Sequence, residues 1–360
     1  MTQHINTAAF DTGKADAFLD QVGSLINDGA VAVMVGIGHR TGLFDTMAGL
    51  PQVTSVEIAE AAALAERYVR EWLAVMVTAR IVDFDSAHGT YSLPAEHAAS
   101  LTRGASRGNL AVYAQHVGLL GQVQDRLLAC FETGEGMSYD DYPCFHHMMA
   151  EDSAMTVTAG LFDHVLPLVA GLDARLEAGI EVMDAGCGHG LALIALAERY
   201  PRSRFVGYDL SDEAISHATE LARRAGLVNL TFETRDLTGY DERERFDLIT
   251  SFDAVHDQKD PAGLIRGLKG ALKPSGVYLM QDIGGSARLE NNLDFPMASF
   301  LYAMSCAHCT PVSLGQGGEG LGTMWGWETA ESMLRDAGFT AVDRHVLPHD
   351  PMNVWFVAAA

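Results

Sequence analysis

From about residue 180 the chain alternates short apolar runs with helix-length segments, and this rhythm constrains the fold more than any other feature. The strand-like runs are Glu181–Asp184, Arg204–Asp209, Leu230–Thr234, Phe246–Ser251 and Val277–Asp282, with helices expected over Leu191–Arg199, Asp212–Ala225 and Pro261–Leu272. Such alternation predicts an α/β fold, a mostly parallel sheet with helices on both faces. Val342–Val346 and Val354–Val357 read as two closing strands. The first strand runs into Asp184-Ala185-Gly186-Cys187-Gly188-His189-Gly190. Glycines there let the backbone come close to a ligand and adopt conformations closed to residues with a Cβ.

A glycine turn alone fits a dinucleotide as well as other nucleosides, and the acids at later strand ends discriminate. Asp209 stands nineteen positions after Gly190 at the end of the second strand, where a carboxylate can accept both ribose hydroxyls. Asp236 follows the third strand and can meet an adenine amino group. The turn is Gly-x-Gly-x-Gly, not Gly-x-Gly-x-x-Gly, and Asp184 precedes it. A sulfonium cation gains from nearby acids and a diphosphate does not. Residues 180–360, including the turn Lys273-Pro274-Ser275-Gly276, resemble the class I methyltransferases. That resemblance implies a Rossmann-like seven-stranded sheet and S-adenosylmethionine as cofactor. The implied contacts are Asp184, Gly186, Cys187, Gly188, Asp209, Leu210, Asp236, Leu237 and Phe252.

The first hundred residues read mostly as helices. Phe18, Val22, Leu25 and Ile26 share a helical face, with Ala30–Ile37 as a buried continuation. Thr54-Ser55-Val56-Glu57 is a capping box opening a helix. The next helix, Ala65–Ala79, should turn Tyr68, Trp72, Val75 and Met76 inward, with Leu73 at the edge. Ile81–Phe84 and Thr90–Leu93 around Gly89 predict a hairpin. Helix, helix, hairpin is the pattern of a winged helix, which raises DNA binding. Residues 1–110 carry seven Lys/Arg against twelve Asp/Glu, a net of −5, and the whole chain is at −23. Nucleic-acid binding needs a basic face, so a dimerisation module is the better reading.

The expected division is a winged-helix-like dimerisation domain over 1–107, a helical linker lining the site over 108–175, and the methyltransferase domain over 176–360. In the linker Leu119, Leu120, Val123, Leu127 and Leu128 keep helical register. A winged-helix module before such a domain resembles the small-molecule O-methyltransferases of plant and antibiotic pathways, which implies a homodimer. In that family a Phe-x-x-x-Met segment packs on the cofactor; Phe145 and Met149 have this spacing, which ordinary helix core also explains. Five scattered cysteines (Cys130, Cys144, Cys187, Cys306, Cys309) form no disulfide framework. The start, Met1–Asn6, lacks the basic and apolar regions of a signal peptide. Ala30–Ile37 is too short to span a bilayer. The expected setting is cytoplasmic, without membrane or nucleic-acid partners.

Phe252-Asp253-Ala254-Val255-His256-Asp257 follows the fourth strand, at the mouth where ligands lie in open α/β sheets. Plant-type enzymes carry a His-Asp pair here and a catalytic histidine six positions after the first; that count lands on Ala262. An insertion at about 283–326 reads as a cap with one apolar helix, Leu293–Cys309, ending near His308, 52 residues after His256. This resembles the metal-dependent α-keto acid C-methyltransferases of the phenylpyruvate type. The resemblance implies His256, Asp257 and His308 as catalytic residues and ligands of an iron-type ion, with zinc possible, and a 2-oxo acid as substrate. Two imidazoles and a carboxylate leave positions open, and a bound Lewis acid acidifies C3 of a chelated 2-oxo acid.

Other readings stand beside it. His256 can be a metal-free base for O- or N-methylation of an aromatic metabolite, with His308 a satisfied helix-end histidine. The chain can also be a winged-helix regulator that senses S-adenosylmethionine. Cys306 and Cys309 read as core thiols, because no second pair completes a structural zinc site. Gly315–Gly322 lacks the Lys-Ser/Thr ending of a phosphate loop and reads as a hinge. Trp325 and Trp327 either line an apolar pocket or pack.

Overall fold

The computed structural model describes residues 10–105, 108–143 and 145–360; the chain start, Cys144 and the boundary at 107 lie outside the described residues. Two compact units divide at Gly118 and Leu119.

The first unit contains α1 (Thr12–Arg40), α2 (Leu43–Ala48), α3 (Ser55–Ala62), α4 (Glu66–Thr78), a hairpin of β1 (Asp83–Asp85) and β2 (Thr90–Ser92), and the short α5 (Ala95–Ala98). The capping box is present: Thr54 Oγ1 accepts from Glu57 N at 3.4 Å, and Glu57 Oε2 from Thr54 N at 2.8 Å. Val69, Trp72, Leu73 and Met76 are buried, whereas Tyr68 is 80% exposed, so α4 is rotated from the expected face. Helix α1 also departs from the expected burial. Phe18, Leu25 and Ile26 are 63%, 62% and 70% exposed, and Ile37 is 42% exposed. The run Ala30–Ile37 is part of a single 29-residue helix, the one helix among the described residues that is long and apolar enough by length and composition to cross a membrane.

The second unit is built on a seven-stranded sheet of β3 (Glu181–Ala185), β4 (Arg204–Asp209), β5 (Leu230–Thr234), β6 (Phe246–Phe252), β7 (Leu272–Ile283), β8 (Ala341–Leu347) and β9 (Asp350–Ala359). The order is β5-β4-β3-β6-β7-β9-β8, with β9 antiparallel to both neighbours. The central strands β3, β4 and β6 are buried on both faces because helices cover both, whereas the edge strands β5 and β8 are largely exposed. One cluster packs Met183, Ile249, Tyr278 and Phe356 with α11 (Pro261–Ala271) and α14 (Trp327–Asp336). The other packs Val182, Phe205, Leu248 and Trp355 with α8 (Leu172–Ala178) and α9 (Leu191–Arg199). α10 (Asp212–Arg224) packs on β4 and β5.

α6 (Ala111–Thr133) crosses the division between the units and leads to α7 (Phe145–Ser153). Along it Leu119 and Val123 are buried, but Leu128 is 56% exposed. β7 begins at Leu272, so the Lys-Pro-Ser-Gly segment lies inside the strand; Leu272 pairs with Phe246 across a register shift. The helix of the insertion starts later than expected and runs on without a break from Ala298 to Gly315. It holds α12 (Ala298–Met304), a π-helical turn at Ser305–Cys309 and α13 (Thr310–Gly315). Met297 at φ 54° breaks the expected start, and Pro311 follows the π-helical turn directly.

Candidate active site

Strand order reverses beside β3, whose neighbours are β4 and β6. Ligands of open α/β sheets lie outside the strand ends at such a reversal, and both singled-out segments begin there. After β3, Gly186 takes a φ of 77°, and a Cβ on it would stand 2.5 Å from that of Ala254. The turn is fastened to the end of β4. Gly186 N and Cys187 N donate to Tyr208 O at 2.8 and 3.0 Å, and Gly188 N donates to Asp209 Oδ2 at 2.8 Å. Ser211 N donates to the other Asp209 oxygen at 2.9 Å.

Asp184 is 2% exposed and accepts from Thr250 Oγ1 at 2.7 Å. Burial pushes its carboxyl up to about 7, with the Thr250 bond opposing and Asp209 adding. The fixed negative charge assigned to it from sequence is therefore incomplete at neutral pH. Asp236 is exposed and held below the usual carboxylate range by hydrogen bonds from Thr238, with Lys259 helping. Leu237 is buried, Leu210 is 47% exposed, and Cys187 is half-buried. Phe252 meets Trp355 at 5.7 Å. Phe145 and Met149 belong to a core cluster with Leu119, Met137 and Tyr142.

The reacting segment follows β6. Asp253 holds φ 53°, a conformation costly for a residue with a Cβ. Burial pushes its carboxyl up to about 7, with His256 opposing. His256 is 2% exposed, and its Nδ1 lies 2.9 Å from Asp282 Oδ1. That oxygen also accepts from Trp325 Nε1 at 3.0 Å and Ile283 N at 2.8 Å. His256 Nε2 faces Asp257 Oδ1 at 3.3 Å. Burial alone would depress the His256 pKa, but Asp282 and Asp257 outweigh it and hold it well above the ordinary range.

His308 lies in the π-helical turn, buried, with Nδ1 3.9 Å from Asp257 Oδ2. Phe145 stacks on its ring at 3.8 Å and Tyr142 meets it edge-on at 4.6 Å. The structure thus brings His256, Asp257 and His308 together. It also adds residues not singled out from sequence as part of this site. Asp282 is an acid ending a strand, the same signal that marked Asp209. Cys309 Sγ lies with donor atoms of His256 and Asp257 in a group within 4.8 Å of one another. Trp325 anchors Asp282, and Trp327 packs beneath Arg344, whose guanidinium is 3.6 Å from the ring centroid. The glycine loop is no open hinge. Gly318 N donates to Ser313 O at 2.8 Å, and a Cβ on Gly322 would meet Ser305 Oγ at 2.2 Å.

Residues 29–103 match an Rv2258c-like winged helix-turn-helix domain, and residues 176–338 match a methyltransferase domain. A putative O-methyltransferase of Nostoc punctiforme superposes with a TM-score of 0.69 at 20% identity, over 96% of this chain and 98% of that one. Human N-acetylserotonin methyltransferase, in complex with SAM, gives 0.68 at 15% identity, over 100% and 99%. Phosphoethanolamine N-methyltransferase 1 of Triticum aestivum is 35% identical over 127 residues, 35% of this chain and 25% of that protein. A ubiquinone biosynthesis O-methyltransferase of Actinobacillus pleuropneumoniae is 31% identical over 29% of this chain and 46% of its own length. The chain thus spans less than half the length of these two curated relatives. It carries a methyltransferase domain of the Rossmann-like, class I fold, preceded in sequence by a winged helix-turn-helix domain.

Proposed function

We propose that the protein transfers the methyl group of S-adenosylmethionine to a small organic molecule. The observation that carries this reading is Asp209, fixed at the end of β4 by Gly188 N and Ser211 N. Each carboxylate oxygen has two lone pairs, so ribose hydroxyls can be accepted without breaking either bond. Asp184, Gly186, Cys187, Gly188, Leu210, Asp236, Leu237 and Phe252 complete the proposed cofactor contacts, with Phe145 and Met149 from α7. Calorimetric titration with S-adenosylmethionine tests it. Asp209→Ala should weaken binding at least tenfold, and equal binding by both proteins refutes the assignment.

For the acceptor we favour a 2-oxo acid methylated at C3, with an iron or zinc ion held by His256, Asp257 and His308. Two observations support the fit. A ligating histidine almost always donates its other ring N–H to a carboxylate, a backbone carbonyl or water, and His256 Nδ1 has Asp282 in that place. Asp257 Oδ1 is buried without a hydrogen-bond partner. Such an ion supplies Lewis-acid polarisation of the keto acid. The protein's part is positional: Asp282 sets the His256 ring, Trp325 sets Asp282, and Phe145 and Tyr142 set the plane of His308. Turnover of phenylpyruvate or branched keto acids should disappear on chelation and return with metal. Unchanged turnover in metal-free protein refutes it.

The second reading is metal-independent O- or N-methylation with His256 as base. The Asp282–His256 hydrogen bond favours it, since a base oriented by a carboxylate is a recurring catalytic unit. Its mark is chelator-resistant turnover that His256→Ala abolishes and His308→Ala spares. We divide the chain functionally at 107 and 175, with a cap at 283–326, and assign dimerisation to the N-terminal module, whose α1 leaves Phe18, Leu25 and Ile26 exposed. Its charge argues against DNA as partner, and a cytoplasmic enzyme is the corresponding setting.

A further inference from the structure

We infer that Cys309 supplies a fourth protein donor, a thiolate, to the centre formed by His256, Asp257 and His308, making it a mixed nitrogen, oxygen and sulfur site. The inference rests on the metal-assisted reading above and changes what that centre selects. Hard oxygen-loving cations such as Mg²⁺ and Ca²⁺ gain little from sulfur, whereas Zn²⁺, Fe²⁺ and Co²⁺ accept it.

The geometry starts in the π-helical turn. Such turns are rare and recur at functional sites because they re-aim side chains within a helix. Here the turn buries His308 and its neighbour Cys309, at 2% and 7% exposure, while Cys306 in the same turn is exposed. Cys309 Sγ, one ring nitrogen of His256 and one oxygen of Asp257 all lie within 4.8 Å of each other. His308 Nδ1 borders this group, 3.6 Å from Cys309 Sγ and 3.9 Å from Asp257 Oδ2.

Spacing supports coordination. Ligands at about 2.0–2.3 Å from a tetrahedral ion are separated from one another by roughly 3.3–3.8 Å. The separations of 3.3 Å (His256 Nε2 to Asp257 Oδ1) and 3.6 Å (Cys309 to His308) fall in that span, whereas His308 Nδ1 is 3.9 Å from the other Asp257 oxygen and stands outside the 4.8 Å group, so an ion would have to draw His308 inward. Independent of the cysteine, Asp257 Oδ1 is buried and makes no hydrogen bond, with His256 Nε2 facing it at 3.3 Å. Thr323 Oγ1 donates to Cys309 Sγ at 2.7 Å, an outer bond that stabilises negative sulfur. Formation of the metal–sulfur bond releases the thiol proton to solvent. The Cys306-Ala307-His308-Cys309 segment is thus not a pair of equivalent core thiols: one faces out, and the other faces the centre.

Cobalt spectroscopy on the full chain tests this. Protein stripped by chelator and titrated anaerobically with Co²⁺ should develop visible d–d bands and a near-ultraviolet sulfur-to-cobalt charge-transfer band. Cys306→Ser should keep that band. Cys309→Ser should lose it, bind Co²⁺ at least tenfold more weakly and still show d–d bands. Bound Co²⁺ without the charge-transfer band, or a band that survives Cys309→Ser, overturns the cysteine assignment and leaves the metal reading standing. Absence of any Co²⁺ binding overturns both. If Cys309→Ser does not fold, the wild-type and Cys306→Ser spectra decide.

Discussion

Asp184→Asn is the substitution whose effect the structure specifies most fully. The carboxyl is 2% exposed at the end of β3, and its pKa is pushed from 3.8 to about 7, chiefly by burial. An acid whose folded pKa is raised favours folding at low pH and opposes it once ionised. The destabilisation starts as pH passes the unfolded value and is complete above the folded one. One pKa unit corresponds to about 1.4 kcal/mol. The ionisation penalty is therefore roughly 1.5 kcal/mol at pH 5 and about 4 kcal/mol at pH 8. Asparagine cannot ionise, yet its carbonyl can still accept from Thr250 Oγ1. The variant should thus gain on the wild type by roughly 2.5 kcal/mol between pH 5 and pH 8. Urea unfolding of both proteins at several pH values reads this difference, and contributions from other titrating groups cancel. An offset that stays constant across that window would show that Asp184 does not carry a raised pKa.

Asp282→Asn should lower turnover about 10- to 100-fold by freeing the His256 ring, and should also lower thermal stability, because it removes one charge of a buried ion pair; steady-state kinetics beside a melting curve checks both. Gly186→Ala should abolish cofactor binding, since its Cβ would press on Ala254 at a φ of 77°, and calorimetry that finds wild-type affinity contradicts the packing described. Leu73→Ala empties a fully buried position of the N-terminal module and should cost about 2–5 kcal/mol in denaturant unfolding. Replacing Phe18 and Ile26 together by Asp should convert a dimer to monomers in sedimentation; an unchanged assembly excludes the α1 face as the interface.

The sheet was readable because its signals are local. β4 and β5 have the expected bounds, since β4 is an apolar run closed by Asp209 and β5 alternates Leu230 and Phe232 with polar residues. β7 was read too short because its pairing of Leu272 with Phe246 depends on a bulge, a property of two strands rather than one. The α1 pattern disclosed which face is apolar, and periodicity cannot say what covers it. The same limit applies to Tyr68, whose helix turned further towards Val69 and Leu73. In the site, His256 and His308 were legible as residue types at a spacing. Asp282 needed the strand-end rule applied once more. Asp253 depends on a left-handed backbone, which aspartate tolerates better than most residues but which its place in the sequence does not specify, and Cys309 on a π-helical turn that alters which neighbours face inward.

The bond between Trp325 and Asp282 has a further consequence. The cap leaves the sheet just after Asp282 and rejoins the body at Trp325, and these two side chains are hydrogen-bonded to each other in the interior. The insertion is therefore drawn shut at its neck, and the knot that closes it also grips His256. Leu301 packs with Ile283 and Met324, the residues next to Asp282 and Trp325, so the apolar groups of the insertion brace that neck, and exchanging them would be felt at the imidazole.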